Sequence, residues 1–103
     1  ISPRLRVWAP AVNDVQRRKL GLTDGQPALE VRWINREQPG GRAAYDSGLR
    51  EGDVLVAIDG EPVAETPQQL NRHVKLNYKV GDELPLTVLR GGQQREIRIK
   101  LVD

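Results

Sequence analysis

The chain has 103 residues with 16 Lys+Arg against 14 Asp+Glu, a formal net charge of +2. A domain of this length buries about 65% of the surface its unfolded chain exposes, enough for one modest core without staples. It contains no cysteine, which excludes disulfide and thiol chemistry, and no apolar run approaches the ~20 residues of a membrane span.

In chain order, Leu5-Arg6-Val7-Trp8-Ala9 is apolar and bracketed by Pro3 and Pro10, and it reads as a strand. Asn13 or Asp14 caps a helix with Val15 and Leu20 on its apolar stripe, and Gly21 stops it. Thr23-Asp24-Gly25-Gln26-Pro27 is a turn. Residues 28–34 alternate with period two, which predicts Leu29, Val31 and Trp33 on one face and Glu30 and Arg32 on the other. Residues 35–42 hold Pro39-Gly40-Gly41 among charges and read as an exposed loop. Residues 43–48 read as a single helical turn closed by Gly48.

The stretch from Gly48 to Val63 is the most informative. Turn glycines Gly48 and Gly60 flank a strand with Leu49, Val54, Val56 and Ile58 on one side and Leu55 and Ala57 on the other. This predicts a strand covered mainly on one face. Thr66 then caps a helix with Pro67 at its first position, where the missing N–H costs nothing. Leu70 and Val74 lie four apart on it, with Leu76 near its end. After a turn at Val80-Gly81-Asp82, a strand over residues 84–89 is joined by Gly91-Gly92 to one over residues 95–101. There Ile97, Ile99 and Leu101 face in, and Arg98 and Lys100 face out. The sum is one α+β domain over residues 1–103: a partly open β-sandwich or barrel of about five or six strands, with two helices and a short third one.

The wording Gly48-Leu49, Gly52-Asp53-Val54-Leu55-Val56-Ala57-Ile58-Asp59-Gly60, Pro62-Val63 resembles the core of bacterial PDZ domains. Leu20-Gly21-Leu22, Ala43-Ala44, Thr66-Pro67-Gln68-Gln69-Leu70 and Thr87-Val88-Leu89-Arg90-Gly91-Gly92 extend the resemblance over nearly the whole chain. It is similar to the circularly permuted PDZ domains of HtrA-type serine proteases. Carboxyl-terminal processing proteases carry similar strands, though their groove helix opens differently from residues 66–70.

The resemblance implies a peptide-binding module working by β-strand addition. The family's carboxylate-binding loop falls on Arg4-Leu5-Arg6-Val7, with arginine where the aromatic residue and the glycine are usual. A ligand strand would pair with the edge of Val7-Trp8-Ala9. Pro67, Asn71 and Val74 would line the groove from the helix, and Leu5 and Val7 would floor it. Leu70 and His73 would turn to the core or its margin. The implied partners are peptide or protein C-termini and unfolded protein segments, and a protease domain of the same parent. The implied location is the bacterial cell envelope, periplasmic or extracytoplasmic.

Other residues support no separate chemistry. His73, the single histidine, lacks companions for a metal site and a nucleophile to serve as base, so neither metal nor cofactor is expected. Ser47 has no nucleophile elbow around it, and Ser2 is expected at a frayed end. Asp53 and Asp59 sit at opposite strand ends and are expected to bond turn amides. Trp8 and Trp33 are expected to supply the core volume that phenylalanine usually provides, Trp8 with less force because its strand edges the groove. Gly40-Gly41 and Gly91-Gly92 are turn glycines without the following Lys or Thr of a phosphate cradle. The basic group of Arg4, Arg6, Arg17, Arg18 and Lys19 reads as a solvated helix face plus a strand edge, so no nucleic acid is expected.

The start at Ile1 and the lack of methionine imply a fragment of a larger protein, with any signal peptide, anchor or catalytic domain outside it. The chain itself is expected to be non-catalytic. A structural or assembly module with an occupied or degenerate groove is the alternative, prompted by Arg6 and by residues 36–42, a longer insertion than such relatives usually carry.

Overall fold

A computed structural model describes residues 3–103; Ser2 lies outside them. The strands are β1 (Val7–Trp8), β2 (Leu29–Glu30), β3 (Trp33–Ile34), β4 (Val54–Ile58), β5 (Glu61–Pro62), β6 (Glu83–Arg90) and β7 (Gln93–Lys100). The helices are α1 (Asp14–Lys19), α2 (Pro39–Asp46) and α3 (Pro67–Asn77). β1 pairs with β3 as a small sheet of its own, and the larger sheet runs β2-β4-β6-β7 with β5 added to β4. The α+β class holds, and the described strands form two sheets rather than a closed barrel.

Local chemistry explains the element ends. Asn13 accepts from the Gln16 N–H at 2.8 Å while the Gln16 side chain accepts from the Asn13 N–H at 3.3 Å, a reciprocal cap on α1. Asp59 and Gly60 take φ of 52° and 80° between the paired residues Ile58 and Glu61, the backbone a tight two-residue hairpin requires. Leu84 and Leu86 of β6 pair with Ile99 and Ile97 of β7, and all four are buried on the same face as Leu101.

Three expectations are corrected. The alternation over residues 28–34 breaks, because this segment passes from one sheet to the other. The Val31 N–H donates to Asp53 O at 2.8 Å, on the β4 side, and the Arg32 N–H donates to Trp8 O at 2.8 Å, in β1. The handover turns Ile34 inward and leaves Trp33 56% exposed. In β4, the pairing with β6 slips between Leu55 and Ala57, a bulge at Val56. Ile58 therefore joins Leu55 in the main core, while Val54 and Val56 pack with Val12, Ala28 and Leu20 in a second, smaller cluster. Both faces of β4 are covered.

Residues 35–42 are not an exposed loop throughout. Pro39 opens α2, Gly40 and Gly41 are buried in its first turn, and residues 43–46 complete that helix, capped by Ser47, rather than forming a separate turn. Part of the apparent insertion is thus helix, placed against the small sheet.

Candidate functional site

A cavity of about 720 Å³ lies between the β1 segment and α3, and no segment of the described chain fills it. Arg4, Leu5, Arg6, Val7 and Trp8 form one wall, and Asn71 and Val74 face them from α3. Leu5 in the preceding loop and Val7 of β1 are buried as floor, while Arg4, Arg6 and Trp8 are exposed. Val74 is buried at the helix wall while Asn71 is exposed beside it. Ala9 and Pro67, expected in the groove, are buried and do not line the cavity. Pro67 sits at the far start of α3, where it packs inward with Leu70.

The loop before β1 has an uncommon backbone. Arg6 takes φ of 56°, a left-handed conformation that costs a residue with Cβ about 1–2 kcal/mol relative to the right-handed region. This is the position where the resemblance places glycine, so the arginine adopts the backbone shape that glycine takes freely. The bend is held by neighbours: Arg4 N–H donates to Val102 O at 3.0 Å, and Arg6 O accepts from Asn35 N–H at 3.0 Å. Gly40 of α2 completes the support, since a Cβ there would overlap the Arg4 carbonyl oxygen. Among the described residues, the Leu5 and Arg6 N–H groups donate to no acceptor. Two adjacent free donors beside an apolar floor suit a carboxylate on an otherwise hydrophobic ligand.

Several lining residues escaped the sequence. Lys75, one helical turn beyond Asn71, lines the cavity with Trp33, Asn35 and Asp103. Trp33 lies directly opposite Trp8 on the β1–β3 ladder, and the two rings stay 56% and 46% exposed. They are not core replacements for phenylalanine: Trp8 points outward between inward Val7 and Ala9, and Trp33 is turned out by the handover. Period counting on either segment alone misses this pair.

The remaining candidates resolve into structural roles. Asp53 is 1% exposed, and Arg90 grips it with two hydrogen bonds of 2.7 Å. It also accepts from the Arg50 N–H at 2.9 Å, the turn amide expected, while Arg90 donates on to Gly48 O. The bond to Asp53 and its charge push the Arg90 ionisation up, against an opposing effect of burial. Asp59 adopts the left-handed turn conformation instead of bonding a turn amide. His73 is half-buried on α3, edge-on to Tyr78 with ring centroids 5.9 Å apart. Ser47 donates its hydroxyl to Ala43 O at 2.7 Å, closing α2. Leu76, near the end of α3, is 72% exposed. No group of three His, Cys, Asp or Glu suited to a metal occurs among the described residues.

Known proteins share this architecture. The sequence profile described as PDZ domain matches residues 29–101. The chain is 33% identical over 92 residues to the probable periplasmic serine endoprotease DegP-like of Brucella suis biovar 1 (strain 1330), covering 89% of this chain and 16% of that protein. It is 29% identical over 92 residues to the protein of the same description from Rhizobium meliloti (strain 1021), covering 89% and 17% respectively. The chain thus spans only a small part of the length of these relatives. Among solved structures, the HtrA-type protease AlgW with tripeptide superposes with a TM-score of 0.78 at 25% identity, covering 98% of this chain and 31% of that one. The HtrA3 PDZ domain bound to a phage-derived ligand gives 0.68 at 17% identity, covering 96% and 84%, a likeness of fold.

Proposed function

The chain belongs to the PDZ domain family, and we propose from that premise that its groove takes the C-terminal end of an extended peptide. The observation that carries this is the edge of β1. Among the described residues it pairs with β3 on one side only, and its other side opens on the cavity beneath α3. A ligand strand laid there gains main-chain hydrogen bonds from β1 and buries its last side chain over Leu5, Val7 and Val74. The Leu5 and Arg6 N–H groups meet its terminal carboxylate, each such bond contributing about 1.5–3 kcal/mol.

The solved HtrA-type relatives carry peptides, which supports the same use of the groove here. The PDZ domain is the non-catalytic part of the proteases this chain resembles. We therefore assign the chain to substrate recognition or regulation beside a serine endoprotease domain of one parent. The names of the relatives support an extracytoplasmic, periplasmic setting. Unfolded protein segments with free apolar C-termini are the fitting ligands.

Calorimetric titration with one apolar-ended peptide in two forms, free acid and C-terminal amide, tests this. The amide should bind at least about tenfold more weakly, the loss expected from ~1.4 kcal/mol. Equal affinity for the two forms contradicts carboxylate capture.

A further inference from the structure

The charges lining the groove exceed what one terminal carboxylate requires. Arg4, Arg6 and Lys75 all border the cavity, and all three are exposed. None of them is in an ion pair among the described residues, and Asp103 is the one acid along the same lining there. Elsewhere four arginines are matched locally: Arg17 with Asp14, Arg32 with Glu30 at 2.9 Å, Arg98 with Glu96 at 3.0 Å and Arg90 with Asp53 at 2.7 Å. At the groove, three cations outside these pairs face one carboxylate side chain along the same lining.

Their placement adds to the effect. Arg4 and Arg6 flank the free N–H groups from the loop side, and Lys75 projects from the opposite wall. The floor of Leu5, Val7 and Val74 and the Trp8–Trp33 pair provide low-dielectric surroundings, which lengthen the reach of a cation. A carboxylate side chain on the ligand, next to its terminal carboxylate, meets a second cation rather than competing for the first.

Given a groove that binds peptide C-termini, we propose that it selects acidic ones. The favoured ligand carries an Asp or Glu side chain within its last three residues, and Lys75 with Arg4 and Arg6 sets that preference. The same cations would repel a Lys or Arg at those positions. Nucleic acid is the competing polyanion, but the narrow apolar floor and paired amide donors fit an extended peptide end.

The test uses synthetic heptapeptides with a common apolar last residue and Ala, Glu or Lys at the second- or third-last position, titrated into the domain by fluorescence anisotropy. In low salt, a Glu peptide should bind up to about fivefold tighter than the Ala peptide, and the Lys peptide more weakly than either. The spread should narrow in 0.5 M NaCl, because exposed pairs are screened. In Lys75→Glu the preference should shift toward the Lys peptide. Equal binding of the Ala, Glu and Lys peptides, or an unchanged order in Lys75→Glu, overturns the selectivity while leaving peptide binding standing. Failure of every peptide overturns both. Displacement of the Glu peptide by a short oligonucleotide at equal concentration marks the cations as a general polyanion surface and overturns the proposal.

Discussion

Gly40 lies so close against the Arg4 carbonyl oxygen that no Cβ fits between them. The first turn of α2 thereby fixes the loop from which the groove's free amides project. Gly→Ala inside a helix ordinarily stabilises by about 0.5–1 kcal/mol. Here the sign reverses: Gly40→Ala should destabilise by about 1–3 kcal/mol, the usual range for overpacking. Urea denaturation gives the stability, and peptide titration of the folded variant should show weakened binding because the Arg4 loop has moved. A variant as stable as the parent contradicts this coupling.

Arg6 should respond in the opposite direction. Its φ of 56° suits glycine, so Arg6→Gly relieves about 1 kcal/mol of backbone strain, partly offset by the entropy of an unfolded glycine. The variant should melt no lower than the parent. It should nevertheless bind acidic peptides less well, because the backbone shape is kept while a groove cation is lost. Clear destabilisation would mean that the Arg6 side chain contributes packing that outweighs the strain.

The Asp53–Arg90 pair should be asymmetric under mutation. Asp53→Ala leaves the Arg90 guanidinium without its partner and frees the Arg50 amide; because the Arg90 side chain is 35% exposed and can take up water, the loss should be about 1–3 kcal/mol. Asp53→Ala with Arg90→Leu should cost clearly less than the sum of the two single changes, as expected for directly bonded groups. Denaturant midpoints of the four proteins measure the coupling, and simple additivity contradicts it.

What the sequence made legible was the local chemistry. The caps at Asn13 and Thr66, the Asp59-Gly60 turn and the inward set Ile97, Ile99 and Leu101 each depend on neighbours a few positions away. What it hid depends on the approach of distant segments. Trp33 points out only because residues 31–32 pass between sheets, and Ile58 changes face only because of the bulge at Val56. Gly40 and Gly41 looked like loop glycines because the backbones of Arg4 and Asn35, which press on them, belong to other elements. The groove was legible as a strand and a helix, but Lys75 and Trp33 join it through helix rotation and strand pairing. Pro67 lies outside it at the start of α3, one turn before Asn71, and Ala9 is fully buried.

Tyr78 offers a pH-dependent test. Burial first, then the charges of Asp59 and Asp82, push its ionisation above the ordinary tyrosine value of 10.0. The folded protein therefore keeps the phenolic proton after the unfolded chain has begun to lose it. Stability from this group is complete below pH about 10 and falls as pH rises toward the folded value. Comparing urea midpoints of the parent and Tyr78→Phe, the difference should shift in favour of the variant between pH 8 and pH 11. A difference that stays constant across that window contradicts the assignment.

The central claim is that the edge of β1, faced by α3, is where a peptide end binds. Backbone amide NMR of the labelled domain, titrated with an apolar-ended peptide, tests it most directly. The largest shifts are expected at Leu5, Arg6 and Val7 and at Asn71 and Val74, with slowed hydrogen exchange at the Leu5 and Arg6 amides. Saturable binding that leaves these residues unmoved, or shifts concentrated on the outer face of β7, would contradict it.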